Sequence, residues 1–141
     1  MFIFKLKSYL LVFCLTLLTS NQAFSSEKLS LLLQQSIDAN CDGRVETPYS
    51  ATPLLKVTPQ QCVSYKISVK NISGETLNDV AISGKIPPDT QLLANSIHFY
   101  KNDELYLNSA FKAKYSALIN SQRITLSPHK TITLFYSVRV N

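Results

Sequence analysis

The sequence predicts an antiparallel β-sandwich, and three observations carry that expectation. Cys62–Lys70 and Ile132–Val140 each alternate apolar and polar residues with a period of two, the pattern of a strand with one buried and one wet face. Several short apolar runs between them are separated by Pro-, Asn- and Ser-rich turns. No stretch after Pro53 keeps a helical repeat, so the helix-bearing layer classes are excluded there.

The chain begins differently. Lys5 and Lys7 precede the apolar run Tyr9–Leu18, followed by polar residues and Ala23-Phe24-Ser25. A basic start, a short apolar core and a small-x-small site make residues 1–25 a signal peptide cleaved after Ser25. The apolar core is near ten residues, against the ~20 needed to span a bilayer, so no membrane span is expected after cleavage. Cys14 sits inside that core behind bulky Phe13, which does not fit a lipid-attachment site. Lys5 and Lys7 supply two of the chain's formal +5 charges, so the exported part carries +3.

Residues 26–53 read as an N-terminal segment and 54–141 as the sandwich domain. In the first, Leu29, Leu32, Leu33 and Ile37 lie at helical spacing, which predicts a short helix over 27–37 or an extended start. Within the sandwich, Cys62–Lys70 is the clearest strand, and Asn71–Thr76 is a turn by composition. Leu77, Val80, Ile82 and Ile86 mark a second strand, stopped by Pro87-Pro88-Asp89. Ile97–Tyr100 and Leu105–Leu107 flank a hairpin turn at Lys101–Glu104. Residues 109–121 favour no state. Arg123–Ser127 is a short strand, Pro128–Lys130 a turn, and the chain closes with the long alternating strand. That last strand is also the edge expected to accept a partner strand.

Export removes Cys14 and leaves Cys41 and Cys62. An even pair in an oxidising compartment reads as one disulfide. Such a closure stabilises a small domain by about 3 kcal/mol in the chain-entropy picture. The alternative, free thiols as metal ligands, lacks a further Cys or a nearby His.

Val57-Thr58-Pro59-Gln60-Gln61-Cys62 and the Tyr65-centred strand to Asn71 resemble the opening of the bacterial conserved-repeat domain called domain of unknown function eleven. Asn78–Ile82 through Ile86-Pro87-Pro88-Asp89-Thr90 is similar to its second strand and proline stop. Leu126-Ser127-Pro128 and Leu134–Val140 resemble its closing strand. Asp38–Gly43 with Gln61-Cys62 is similar to a subgroup of these domains. The resemblance runs over about residues 36–140. Gln60 and His129 stand where the family commonly has glycine. It implies an immunoglobulin-like fold on an exported protein, and neither a catalytic activity nor a ligand. The family usually occurs as repeats; one copy is present here.

The sharpest local motif is Asp38-x-Asn40-x-Asp42-Gly43-x-x-Glu46. Oxygen ligands at alternate positions around a glycine turn are how a short loop wraps calcium. Asp38, Asn40, Asp42 and Glu46 would ligate by side chain and Arg44 by its backbone carbonyl, with Val45 as apolar anchor. Tyr49 stands where a full loop has its bidentate Glu. The competing reading is a self-ordered Asp/Asn/Gly turn.

Catalytic patterns are sparse. His129 falls in a turn and His98 on a strand's exposed face, and adjacent Asp103 and Glu104 suit a turn. There is no nucleophile elbow, phosphate loop or zinc-spaced His/Cys set. Lysines and arginines are dispersed without a basic run, which argues against a nucleic-acid partner. Tyr65, Tyr100, Tyr106, Tyr115 and Tyr136 suit an interface or the core, and the core is favoured where no Trp supplies bulk. The expectation is an exported, non-catalytic module of the bacterial envelope, periplasmic, surface-associated or extracellular. It would have a structural, adhesive or protein-binding role toward a protein or glycan. The alternatives are an envelope assembly factor or subunit acting by strand addition and, behind it, a small secreted hydrolase.

Overall fold

The computed structural model describes residues 27–54, 56–105 and 118–141. The leader over 1–25, Tyr106 and Tyr115 lie outside them. Nine strands follow in order: β1 Leu29–Asp38, β2 Cys62–Asn71, β3 Leu77–Val80, β4 Ser83–Lys85, β5 Thr90–Lys101, β6 Glu104–Leu105, β7 Leu118–Asn120, β8 Ile124–Leu126 and β9 Thr131–Val140. One layer is a five-stranded antiparallel sheet ordered β1-β2-β9-β5-β6. The other consists of the pairs β3-β8 and β4-β7. The fold is all-β and antiparallel, as the alternation predicts.

The core lies between the layers. Val63, Ile67, Val69, Phe99, Ile132, Leu134, Tyr136 and Val138 come from the large sheet, Val80, Ile119, Ile124 and Leu126 from the small pairs, and Ile82 from the link between β3 and β4. The inner positions of β2 and β9 are those the period of two assigns to the buried face. Tyr136 fixes the spacing at one point: its ring is stacked on Tyr65, with centroids 5.0 Å apart. Its hydroxyl donates to the Lys85 carbonyl at 2.8 Å. Gly84 lies under the ring, where a Cβ would stand 2.7 Å from Tyr136 Cε1.

One open alternative is decided and two expectations are corrected. Residues 29–38 form a strand and not a helix, paired residue for residue with β2, so the large sheet starts upstream of residue 54. The leucine run LSLLL fits a period of two as well as a helical one. A helix of this length is marginal alone, whereas β2 offers a ladder along the whole segment. The strand expected over Leu77–Ile86 is two strands in separate pairs. Asp79 adopts φ 58°, the β3-β8 register shifts there, and Ser121 Oγ takes the Ile82 N–H at 2.9 Å. Lastly, β9 is not an edge: β2 and β5 flank it. The outer strands of this sheet are β1 and the short β6.

Candidate binding groove and its clamped loop

The wet face of the large sheet holds an open groove of about 1120 Å³. Alternation builds its floor. Ser64, Lys66 and Ser68 of β2 stand opposite Ser137, Phe135 and Thr133 of β9. Buried Ser64 and Ser137 share a hydrogen bond of 2.7 Å, and Ser68 and Thr133 one of 3.2 Å. Phe135 is the apolar residue among these six. Tyr49 meets it edge-on with centroids 5.7 Å apart, and Tyr100 does so at 5.5 Å. Lys66 Nζ lies 5.7 Å from the Phe135 centroid and 5.9 Å from that of Tyr49, within cation–π reach. Burial pushes the Tyr49 phenol above its ordinary pKa; a hydrogen bond with Ser64 works against this, and the Asp38 charge adds to it.

Two walls flank the floor. One is a bulge in β5, where the register against β9 shifts between Leu93 and His98. Ser96 pins it: its hydroxyl donates to the Leu93 carbonyl at 2.6 Å and accepts the Ser137 N–H at 2.7 Å. The other wall is the β1–β2 connection. Cys41 and Cys62 form a disulfide with Cα atoms 5.2 Å apart, which ties the start of that connection to the first residue of β2. Further on, Ser50 exchanges backbone bonds of 2.8 and 2.9 Å with Gln35. Ser36 donates to the Thr47 carbonyl, and Thr47 Oγ1 accepts the Ile37 N–H at 3.1 Å. These bonds hold Tyr49 over the floor.

The acidic motif sits at the start of this wall. Asp38, with no exposed surface, accepts the Asp42 N–H at 3.1 Å on one oxygen and the Gly43 N–H at 2.9 Å on the other. Asp42 accepts the Arg44 N–H at 2.8 Å, and Glu46 the Ala39 N–H at 2.8 Å. Asn40 is exposed, and the Arg44 side chain is exposed as well. Gly43 takes φ 87°, with nothing within 4 Å of an added Cβ. Each of the three carboxylates thus accepts a backbone N–H of the loop itself, the geometry of a self-ordered turn. Among the described residues no group of three or more His, Cys, Asp or Glu is placed to hold a metal ion.

The other sequence candidates separate. His98 is exposed on β5, opposite Phe135, and lines the groove with Asp103. His129 lies in its turn with φ 60°, away from His98. Glu104 is exposed on β6. Tyr65 and Tyr136 belong to the sandwich interior, and Tyr100 to the groove. Tyr49, read in the sequence only as the twelfth position of the acidic loop, and Lys66 are groove residues that the sequence reading did not assign to a site. Phe135, an aromatic on the polar face of an alternating strand, is the signal that points to them.

No family model matches the chain, and no curated protein matches it. Among solved structures, the chain is similar to the pilus backbone of Streptococcus pneumoniae. The identity is 15%, the match covers 77% of this chain and the TM-score is 0.46. The matched region spans 45% of that chain, less than half its length.

Proposed function

We propose that this chain is an exported, non-catalytic β-sandwich module of the bacterial envelope that holds a partner protein or glycan in the groove on its large sheet. The observation that carries this reading is the groove's construction. A floor of paired hydroxyls with an aromatic centre lies between two walls, each tied to the sheet by its own bonds. Such a surface is preorganised, so binding costs little ordering of the protein. Its aromatic rings and dispersed hydroxyls suit an amphipathic ligand better than a highly charged one. Calcium at the acidic loop is no part of this reading.

Co-sedimentation of the oxidised protein with bacterial envelopes tests it. The Tyr49→Ala/Phe135→Ala double variant should bind at least about tenfold more weakly, a loss of roughly 1.4 kcal/mol. Equal binding by the folded variant and the wild type would contradict a role for the groove. The strand-addition reading has its own support, the edge of β1 over Leu29–Leu33, which no strand pairs among the described residues.

A further inference from the structure

We infer that β1 pairs with β1 of a second copy of this chain, antiparallel and centred on Leu31. In β1 the odd-numbered residues direct N–H and C=O away from β2. Gln35 exchanges its two backbone bonds with Ser50, and Ile37 offers its carbonyl to Glu46 N. The same parity turns the backbone of Leu29, Leu31 and Leu33 outward, and among the described residues no hydrogen bond meets it there. Ser50 closes the open window on one side, and β1 begins at Leu29 on the other.

This window has none of the devices that protect natural edges, such as a lysine, a proline or a bulge. Leu29–Ile37 carries no charge, and the β1-β2 register is unbroken over all ten residues. Lys28, the nearest cation, is engaged with Glu75 at 2.7 Å. Leu29, Leu31 and Leu33 stand on the core side of the sheet, yet are 40%, 68% and 42% exposed. The second layer leaves them uncovered among the described residues.

The window fits itself. A twofold axis normal to the sheet pairs only residues on the same face. Centred on Leu31, it sets Leu31 against its own copy and Leu29 against the copy's Leu33, so every core-side partner is leucine. All three are outward-directed residues, so each pair exchanges both backbone bonds, roughly six in total. Ser30 meets Leu32, and Gln34 meets Lys28, with no like charges opposed. A shift of the centre toward Ser50 puts Gln35, already bonded, opposite a leucine and loses a pair. A charged or bulky partner strand would lack this match, which is why a second copy is the occupant. The pairing deepens the strand-addition reading and rests on it, independently of the groove.

The test is light scattering across a concentration series on the chain from Ser26 onward, free of Cys14 and purified with its disulfide oxidised. Wild type should rise from monomer to dimer mass. Leu31→Lys sets two ammonium groups opposite each other at the axis and should stay monomeric, with the melting midpoint of dilute, monomeric wild type because the side chain is exposed. Phe135→Ala should dimerise like wild type, which keeps failure of the groove proposal distinct. Register is read with a thiol cross-linker shorter than about 10 Å. It should link Leu31→Cys chains and not Leu33→Cys or wild-type chains, because copies of residue 33 lie on the order of 13 Å apart along the strands. A wild type that stays monomeric at every concentration overturns the proposal. So does a Leu31→Lys variant that dimerises, or cross-linking of Leu33→Cys as efficient as that of Leu31→Cys.

Discussion

Asp38 and Cys62 stand directly opposite each other across β1 and β2, and both are fully buried. From that one rung, the Asp38 carboxylate holds the N–H groups of Asp42 and Gly43, while Cys62 holds Cys41 through the disulfide. The loop that walls the groove is therefore fastened twice at its base, once electrostatically and once covalently.

Asp38→Ala should lower stability by about 3 kcal/mol, because two loop N–H groups lose their acceptor at a buried position. Asp38→Asn keeps one acceptor oxygen and should cost less. Denaturant titration of the oxidised proteins measures both. Because the loop carboxylates already face backbone donors, excess calcium and chelator should give the same wild-type melting midpoint. Saturation at a hundred times a dissociation constant would instead add about 2.7 kcal/mol.

Replacing both Cys41 and Cys62 by Ser should remove about 3 kcal/mol by the loop-closure estimate, out of a total of about 5–15 kcal/mol for a domain of this kind. The variant should still fold, since the Ser36, Thr47 and Ser50 bonds to β1 persist. Its loop amides should exchange hydrogen faster than those of β9. Equal midpoints for reduced and oxidised wild type would show that the clamp contributes nothing.

Gly84→Ala should destabilise by about 1–3 kcal/mol. The new methyl would press on the Tyr136 ring, which is held by its stack on Tyr65 and its bond to Lys85. Gly74→Ala makes a useful control, because nothing lies within 4 Å of a Cβ there. Thermal melts of the two variants should separate them clearly.

Stability should fall in alkali. Burial raises the Tyr136 pKa above its ordinary 10.0, and the neighbouring Tyr65 adds to the rise. Burial raises Tyr65 in the same way. The folded state then holds phenolic protons that the unfolded chain releases. The stabilisation is complete below pH 10 and is lost as pH climbs from there toward the raised folded values. Tyr136→Phe should flatten that loss while lowering stability at neutral pH through the missing bond to Lys85. Melts from pH 8 to 11 test the sign.

The sandwich was legible because β2 and β9 carry their two faces openly in sequence, and the wet residues of that alternation became the groove floor. The disulfide followed from the two cysteines left once residues 1–25 are read as a leader. The turns at Gln60 and His129, whose types the sequence left open, adopt left-handed backbone, with φ 72° and 60°. What was hidden depended on tertiary pairing. LSLLL satisfies helical and strand periods equally, and only the presence of β2 beside it decides. Nothing local marks β9 as a central strand, since a long strand with one polar face suits either an edge or a covered middle. Tyr49 was read through the acidic motif, and its position over Phe135 arises from bonds that Gln35 and Ser36 make to a distant loop.

The walled face of the large sheet is the surface proposed to engage a partner. Photo-cross-linking in the bacterial cell tests it most directly, with a photoreactive residue placed singly at Phe135, at Tyr100 or at exposed Thr76 outside the groove. Discrete adducts from positions 135 and 100 and none from position 76 are predicted. Adducts from position 76 alone, or the same pattern from all three, would contradict the claim.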